Sequence, residues 1–192
     1  MANVNAPFGL RPVSTLTGAP WNGKATVYTA LATYNTAIYV GDPVVDAGTT
    51  TLNADGTYTK DVQLAATTDV ITGVVIAVLP SDRDSTVYRA ASTLRKLLVV
   101  DDPNVIFEAQ EATGGGLAVA DLGLNISFNA GTPSTVTGRS GLTLKTDTEA
   151  TSNLLALKLF GISSKPNNET GDSCIWLVRI NRHRYVDQLA GV

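Results

Sequence analysis

The run Val70-Ile-Thr-Gly-Val-Val-Ile-Ala-Val-Leu79 is apolar at nearly every position and rich in β-branched side chains. A strand with one wet face alternates polar and apolar residues, whereas a strand covered on both faces does not need to. The run therefore predicts a buried central strand, with Gly73 as the place for a bulge. Working outward, residues 25–31 alternate and read as a strand. Residues 38–46 read as another, interrupted by Gly41 and Pro43. Between Thr-rich flanks, Leu52-Asn-Ala-Asp-Gly-Thr-Tyr58 holds Asp55-Gly56, a hairpin-turn signal. Residues 95–100 and 104–111 read as the next pair of strands, separated by Asp101-Asp102-Pro103.

After the break at Gly114-Gly115-Gly116, residues 118–122 are expected to make one helical turn ended by Gly123. Strands follow at 124–128, around 142–145, at 154–162 and at 173–185. In the last, Trp176, Val178 and Ile180 share one face, which Arg182 and Arg184 continue outward. Short strands at regular spacing, with no βαβ alternation, predict an all-β fold: an antiparallel β-barrel or a jelly-roll-like sandwich.

Composition agrees. Among 192 residues there are 25 threonines, 44% hydrophobic residues and only 16% charged ones. That suits one β-rich domain with a real core. The first 24 residues differ from the rest. They hold Pro7, Pro12 and Pro20 and show no helical period, yet carry Val4, Phe8, Leu10 and Val13. They read as an extended N-terminal arm, of which 20 residues can reach roughly 60–70 Å, attached to a domain over 25–192. The net charge is −3, but residues 42–172 hold nine Lys/Arg against sixteen Asp/Glu. An acidic body makes duplex DNA a poor partner. The longest apolar run is too short to span a membrane, and no signal-peptide pattern opens the chain, so synthesis in the cytoplasm is expected.

Catalytic patterns are weak. His183 is the only histidine, which leaves a histidine-rich metal centre short of ligands. Its neighbours Arg182 and Arg184 would oppose the imidazolium that a Ser-His-Asp triad must form. Gly138-Arg-Ser-Gly141 is one residue short of a nucleophile elbow. Asp101-Asp102 before Pro103 reads as a capped turn rather than a cation site. Cys174, the one cysteine, allows no intrachain disulfide and reads as a small buried apolar residue. No enzyme activity, cofactor or metal is expected.

One resemblance runs the length of the chain. The opening Met1-Ala-Asn-Val-Asn-Ala-Pro-Phe-Gly-Leu-Arg-Pro-Val13 and Gly18-Ala-Pro-Trp-Asn-Gly23 resemble the start of the tailed-bacteriophage structural cement, or head decoration, proteins. Gly41-Asp-Pro-Val44, Val99-Val-Asp-Asp-Pro-Asn-Val-Ile-Phe-Glu-Ala-Gln110, Ala120-Asp-Leu-Gly-Leu-Asn125 and Trp176-Leu-Val-Arg-Ile-Asn181 continue the likeness in order. The resemblance implies a non-enzymatic protein on the outer surface of a phage head. There it would bind the major capsid protein and brace contacts between coat subunits as a homo-oligomer, a trimer favoured over a dimer. It implies neither a specific nucleic-acid partner nor a membrane. The residues expected at capsid or oligomer contacts are Val4, Phe8, Leu10, Arg11, Trp21, Arg182 and Arg184. A virion-surface β-sandwich that binds a receptor or carbohydrate ranks second, because aromatic residues are only 6% of the chain.

Overall fold

The computed structural model describes residues 3–186. Its strands are β1 (Arg11–Thr15), β2 (Thr26–Ala30), β3 (Pro43–Leu52), β4 (Tyr58–Leu64), β5 (Gly73–Val78), β6 (Arg95–Val100), β7 (Val105–Gln110), β8 (Asn125–Asn129), β9 (Thr143–Ala150), β10 (Leu157–Ile162) and β11 (Ile175–Ile180). One 3-10 turn, Val119–Asp121, stands where the helical turn is expected. Five strands close a small barrel in the order β2-β4-β3-β5-β6. The other six form an antiparallel sheet in the order β1-β7-β11-β10-β8-β9. The fold is all-β: a barrel packed against a sheet.

The continuous apolar run is the wall between the two. On β5, Val75 joins Tyr28, Ile38, Val44, Val62, Leu97 and Val99 inside the barrel. Its neighbour Val74 joins Val100, Phe107, Leu157, Trp176 and Val178 in the core beneath the sheet. Consecutive side chains on a strand point to opposite faces, so burying both faces needs apolar residues at every position. Val74, Val75, Val99 and Val100 are each at most 1% exposed, and each such burial is worth roughly 1.5–3 kcal/mol. The bulge lies between Val75 and Ala77, beyond Gly73. Gly73 instead permits a close approach of two strands. A Cβ there would stand 2.3 Å from the Val100 carbonyl oxygen and 2.7 Å from a Val99 methyl.

The Asp55-Gly56 turn is where it is expected. Gly56 has φ +82°, and the Asn53 N–H donates to Thr57 O at 2.8 Å. Two sequence expectations need correction. Segments 95–100 and 104–111 do not pair with each other. β6 lies between β2 and β5 in the barrel, while β7 lies between β1 and β11 in the sheet. Asp101-Asp102-Pro103 is therefore a crossing from one layer to the other. Asp101 accepts from the Tyr28 hydroxyl at 2.9 Å and from the Thr26 hydroxyl at 3.1 Å, and Asp102 accepts from the Asn104 N–H at 2.9 Å. The last strand also ends early, at Ile180. The N–H groups of Asn181 and Arg182 both reach the Ala156 carbonyl, at 2.8 and 3.2 Å. That bulge-like step shifts the alternation by one, so His183, and not Arg182 or Arg184, turns inward.

Residues 3–24 turn back once, at 15–19, and are fastened to their own domain. β1 pairs with β7 as the outermost strand of the sheet, so the boundary expected at residue 24 does not separate a projecting arm from a body.

The wall predicts its own weak point. Gly73→Ala should destabilise the protein by about 2–3 kcal/mol through overpacking against Val100. Gly116→Ala, with nothing within 4 Å of the added Cβ, should change stability by less than about 0.5 kcal/mol. Urea unfolding midpoints of the two variants check this.

Candidate functional site

The N-terminal segment is held by a side chain that imitates a strand. The Gln110 amide donates from Nε2 to Val4 O at 2.7 Å and accepts at Oε1 from the Ala6 N–H at 3.0 Å. Asn3 is fixed further along, donating to Glu169 O at 2.7 Å and accepting from the Glu169 N–H at 3.1 Å. Gly9 and Gly41 then meet backbone to backbone. Leu10 N–H donates to Gly41 O at 2.9 Å, and a Cβ on Gly9 would lie 2.6 Å from that same oxygen. Both glycines also have positive φ, +75° and +96°, a region costly for other residues. After β1 the chain turns at 15–19, and the Trp21 N–H returns to Val13 O at 3.1 Å.

This path builds an open cleft of about 330 Å³ between the sheet edge and the barrel. Phe8, Leu10, Arg11, Pro12 and Trp21 come from the N-terminal segment; Val40, Val75, Ile76 and Arg139 come from the other side. Ile76 is the bulged residue of β5, so the irregularity in the wall sets its direction into the cleft. Arg139 is placed by the bridge between Val40 and Arg139. Trp21 is half-buried, and its indole Nε1 has no acceptor among the described residues.

The charges around the cleft are unequal. Glu108, 4% exposed, accepts from Arg11 Nε at 3.1 Å, from Lys165 at 2.6 Å and from the Ser163 hydroxyl at 2.6 Å. One carboxylate thus serves two cations. Both cations also sit against the Phe8 ring, Arg11 at 4.5 Å and Lys165 at 5.7 Å from its centroid. Arg139 is exposed, and its side chain has no ion pair among the described residues.

Four of the seven residues singled out from sequence therefore meet at one place: Phe8, Leu10, Arg11 and Trp21. Leu10 is corrected in role. At 1% exposure it belongs to the core and floors the cleft, because its backbone is tied to Gly41 beneath the surface. Val4 lies on the fastened segment, 77% exposed, outside the cleft. Arg182 and Arg184 are not brought to it either. The Arg182 guanidinium donates to the carbonyls of Thr68 and Leu154, while Arg184 is exposed. Sequence reasoning missed Arg139, Glu108, Lys165 and Gln110. Arg139 had one available signal, being the only cation between residues 97 and 144.

Among the described residues no group of three or more His, Cys, Asp or Glu is placed to hold a metal ion. None of their helices is long and apolar enough to cross a membrane. His183 is a buried core residue. Its Nδ1 accepts from the Tyr185 N–H at 3.2 Å, so the neutral ring carries its proton on Nε2. Burial pushes its pKa down to about 4; Arg179 lowers it further, while Asp101 and Asp102 pull it upward. Cys174 is buried too, and burial raises its thiol to about 11.

These shifts have opposite consequences. With its folded pKa depressed, His183 contributes stability that is full above about pH 6.5 and lost as pH falls toward about 4. Burial raises Asp42 to about 6 and Glu111 to about 7, so their contributions are full at low pH and lost as pH rises through those values. Comparing the wild type with His183→Gln isolates the histidine. Between pH 6.5 and 4 the wild type should lose roughly 3 kcal/mol more than the variant, measured by urea unfolding at each pH. Equal slopes would show that folding leaves the His183 pKa where it stands in the unfolded chain. No protein-family model, curated protein or solved structure matches the chain.

Proposed function

We propose that this protein is a structural cement protein that binds the outside of a phage head and braces contacts between coat subunits. It would be made in the host cytoplasm and act as a homo-oligomer on the virion. The alternative reading, a receptor- or carbohydrate-binding module, has no comparable support, because the two aromatic rings of the cleft are flanked by cations and aliphatic residues rather than set out as a stacking platform.

The observation that carries the proposal is the cleft. The N-terminal block that resembles cement proteins supplies Phe8, Arg11 and Trp21 to it, on a segment pinned to the domain by Gln110 and Gly41. A recognition surface held rigid before contact loses less conformational entropy on binding. The role asks for no catalytic step. Each contact with a coat subunit can be modest, since an oligomer touching several subunits gains through effective concentration.

Purified protein mixed with heads of its own phage that lack it should co-sediment, saturate at a fixed ratio to coat protein, and raise the temperature at which the heads disrupt. Heads that neither bind it nor gain stability would overturn the proposal.

A further inference from the structure

We infer that the cleft receives an extended segment of the coat protein in which a carboxylate lies beside an apolar side chain, the apolar group seating on Trp21 and Ile76 and the carboxylate pairing with Arg139. This rests on the cement reading and adds the chemistry of the partner to it.

The cleft reverses the charge of the body around it. Residues 42–172 carry seven more acidic than basic side chains. At the cleft, Glu108 is shared by Arg11 and Lys165, which leaves one positive charge unbalanced. Arg139 adds a second, with no ion pair among the described residues. A cation-rimmed surface on an acidic protein favours an acidic partner and disfavours another acidic body without such a segment.

Trp21 lines the cleft, and its indole Nε1 is buried without an acceptor among the described residues. The donor is turned away from the open space of the cleft, so Trp21 offers an occupant its ring surface rather than its N–H. The shape of the cleft narrows the occupant further. About 330 Å³ is at the small end of binding pockets and suits one large side chain, with the rest of the segment lying on the surface. That surface is apolar beside Arg139. Val136 and Val87 are 86% and 55% exposed, and Gly138 packs so closely on Val87 that an added Cβ would stand 2.5 Å from its carbonyl oxygen. Two exposed valines thus lie near Arg139, Val87 against its neighbour Gly138 and Val136 three residues before it.

The test is a binding titration of heads lacking this protein, at low and moderate salt, with the wild type and four variants. Arg139→Glu should bind at least about tenfold more weakly, and Arg139→Lys within about threefold of wild type, because a point charge suffices for one carboxylate. Trp21→Phe, which shrinks the ring surface on which the apolar group seats, should bind about threefold to tenfold more weakly. Arg83→Glu, the same charge change on an exposed loop, should bind as the wild type does. Affinity of the wild type should fall with salt more steeply than that of Arg139→Glu. If the wild type binds heads and both Arg139→Glu and Trp21→Phe bind equally well, the cleft is not the contact, although the cement reading stands. If Arg139→Glu instead breaks a wild-type oligomer in sedimentation velocity, the occupant is a second copy and the inference falls. If the wild type does not bind, both readings fall.

Discussion

The two-sided burial of β5 and β6 is the constraint from which the rest follows. These strands close the barrel through Val75 and Val99 and support the sheet through Val74 and Val100. Neither layer is complete alone: the barrel's outer wall is the sheet's floor. The backbones of β5 and β6 come so close that Gly73 has no room for a side chain. The same crowding explains why the relief comes at Ile76, one residue beyond the two inward valines, where the ladder skips and the side chain turns to the cleft.

Fastening the N-terminal segment is a polar problem as much as an apolar one. Leu10 supplies the only fully buried side chain of residues 3–10. The remaining hold comes from hydrogen bonds that substitute for a ladder, above all those of the Gln110 amide. Gln110 is 2% exposed and also donates to Ser173 O at 2.9 Å. One amide therefore ties the N-terminal segment to the loop before β11. Buried amides of this kind are costly when half-satisfied and specify a unique arrangement when fully used.

Much of the fold was legible in the sequence. A nearly continuous apolar run rich in β-branched residues meant a doubly covered strand, Asp-Gly meant a hairpin, and Gly123 ended a single helical turn. Partner choice was not legible. Asp101-Asp102-Pro103 has the composition of a hairpin turn and of a layer crossing alike, and only the positions of β2 and β11 decide between them. The fate of residues 3–10 was hidden for a similar reason. A proline-rich extended segment reads the same whether it projects or lies down, and its clamp, Gln110, is over 100 residues away. The shift of phase at Asn181 left no mark either, since two N–H groups sharing the Ala156 carbonyl is a fact of backbone geometry. The candidate site was half visible: its aromatic and apolar side was marked by unusual residues in a supposed arm, while Arg139 lay in a Thr/Ser/Gly-rich stretch without periodicity.

The pairing of Arg11 with Glu108 spans 97 residues of sequence, and this sets an order of events during synthesis. β1 leaves the ribosome before the barrel strands, yet its ladder partner emerges only after the whole barrel sequence has been made. Contacts so distant in sequence form late, because loop closure must be offset before they stabilise anything. Until then Leu10 has no sheet core to enter, and Phe8 lacks Lys165 beside it. Barrel residues 26–100 can begin to collapse first, and the N-terminal segment closes over them afterwards as a latch. The cleft is thus completed late, by a segment made before the barrel on which it closes.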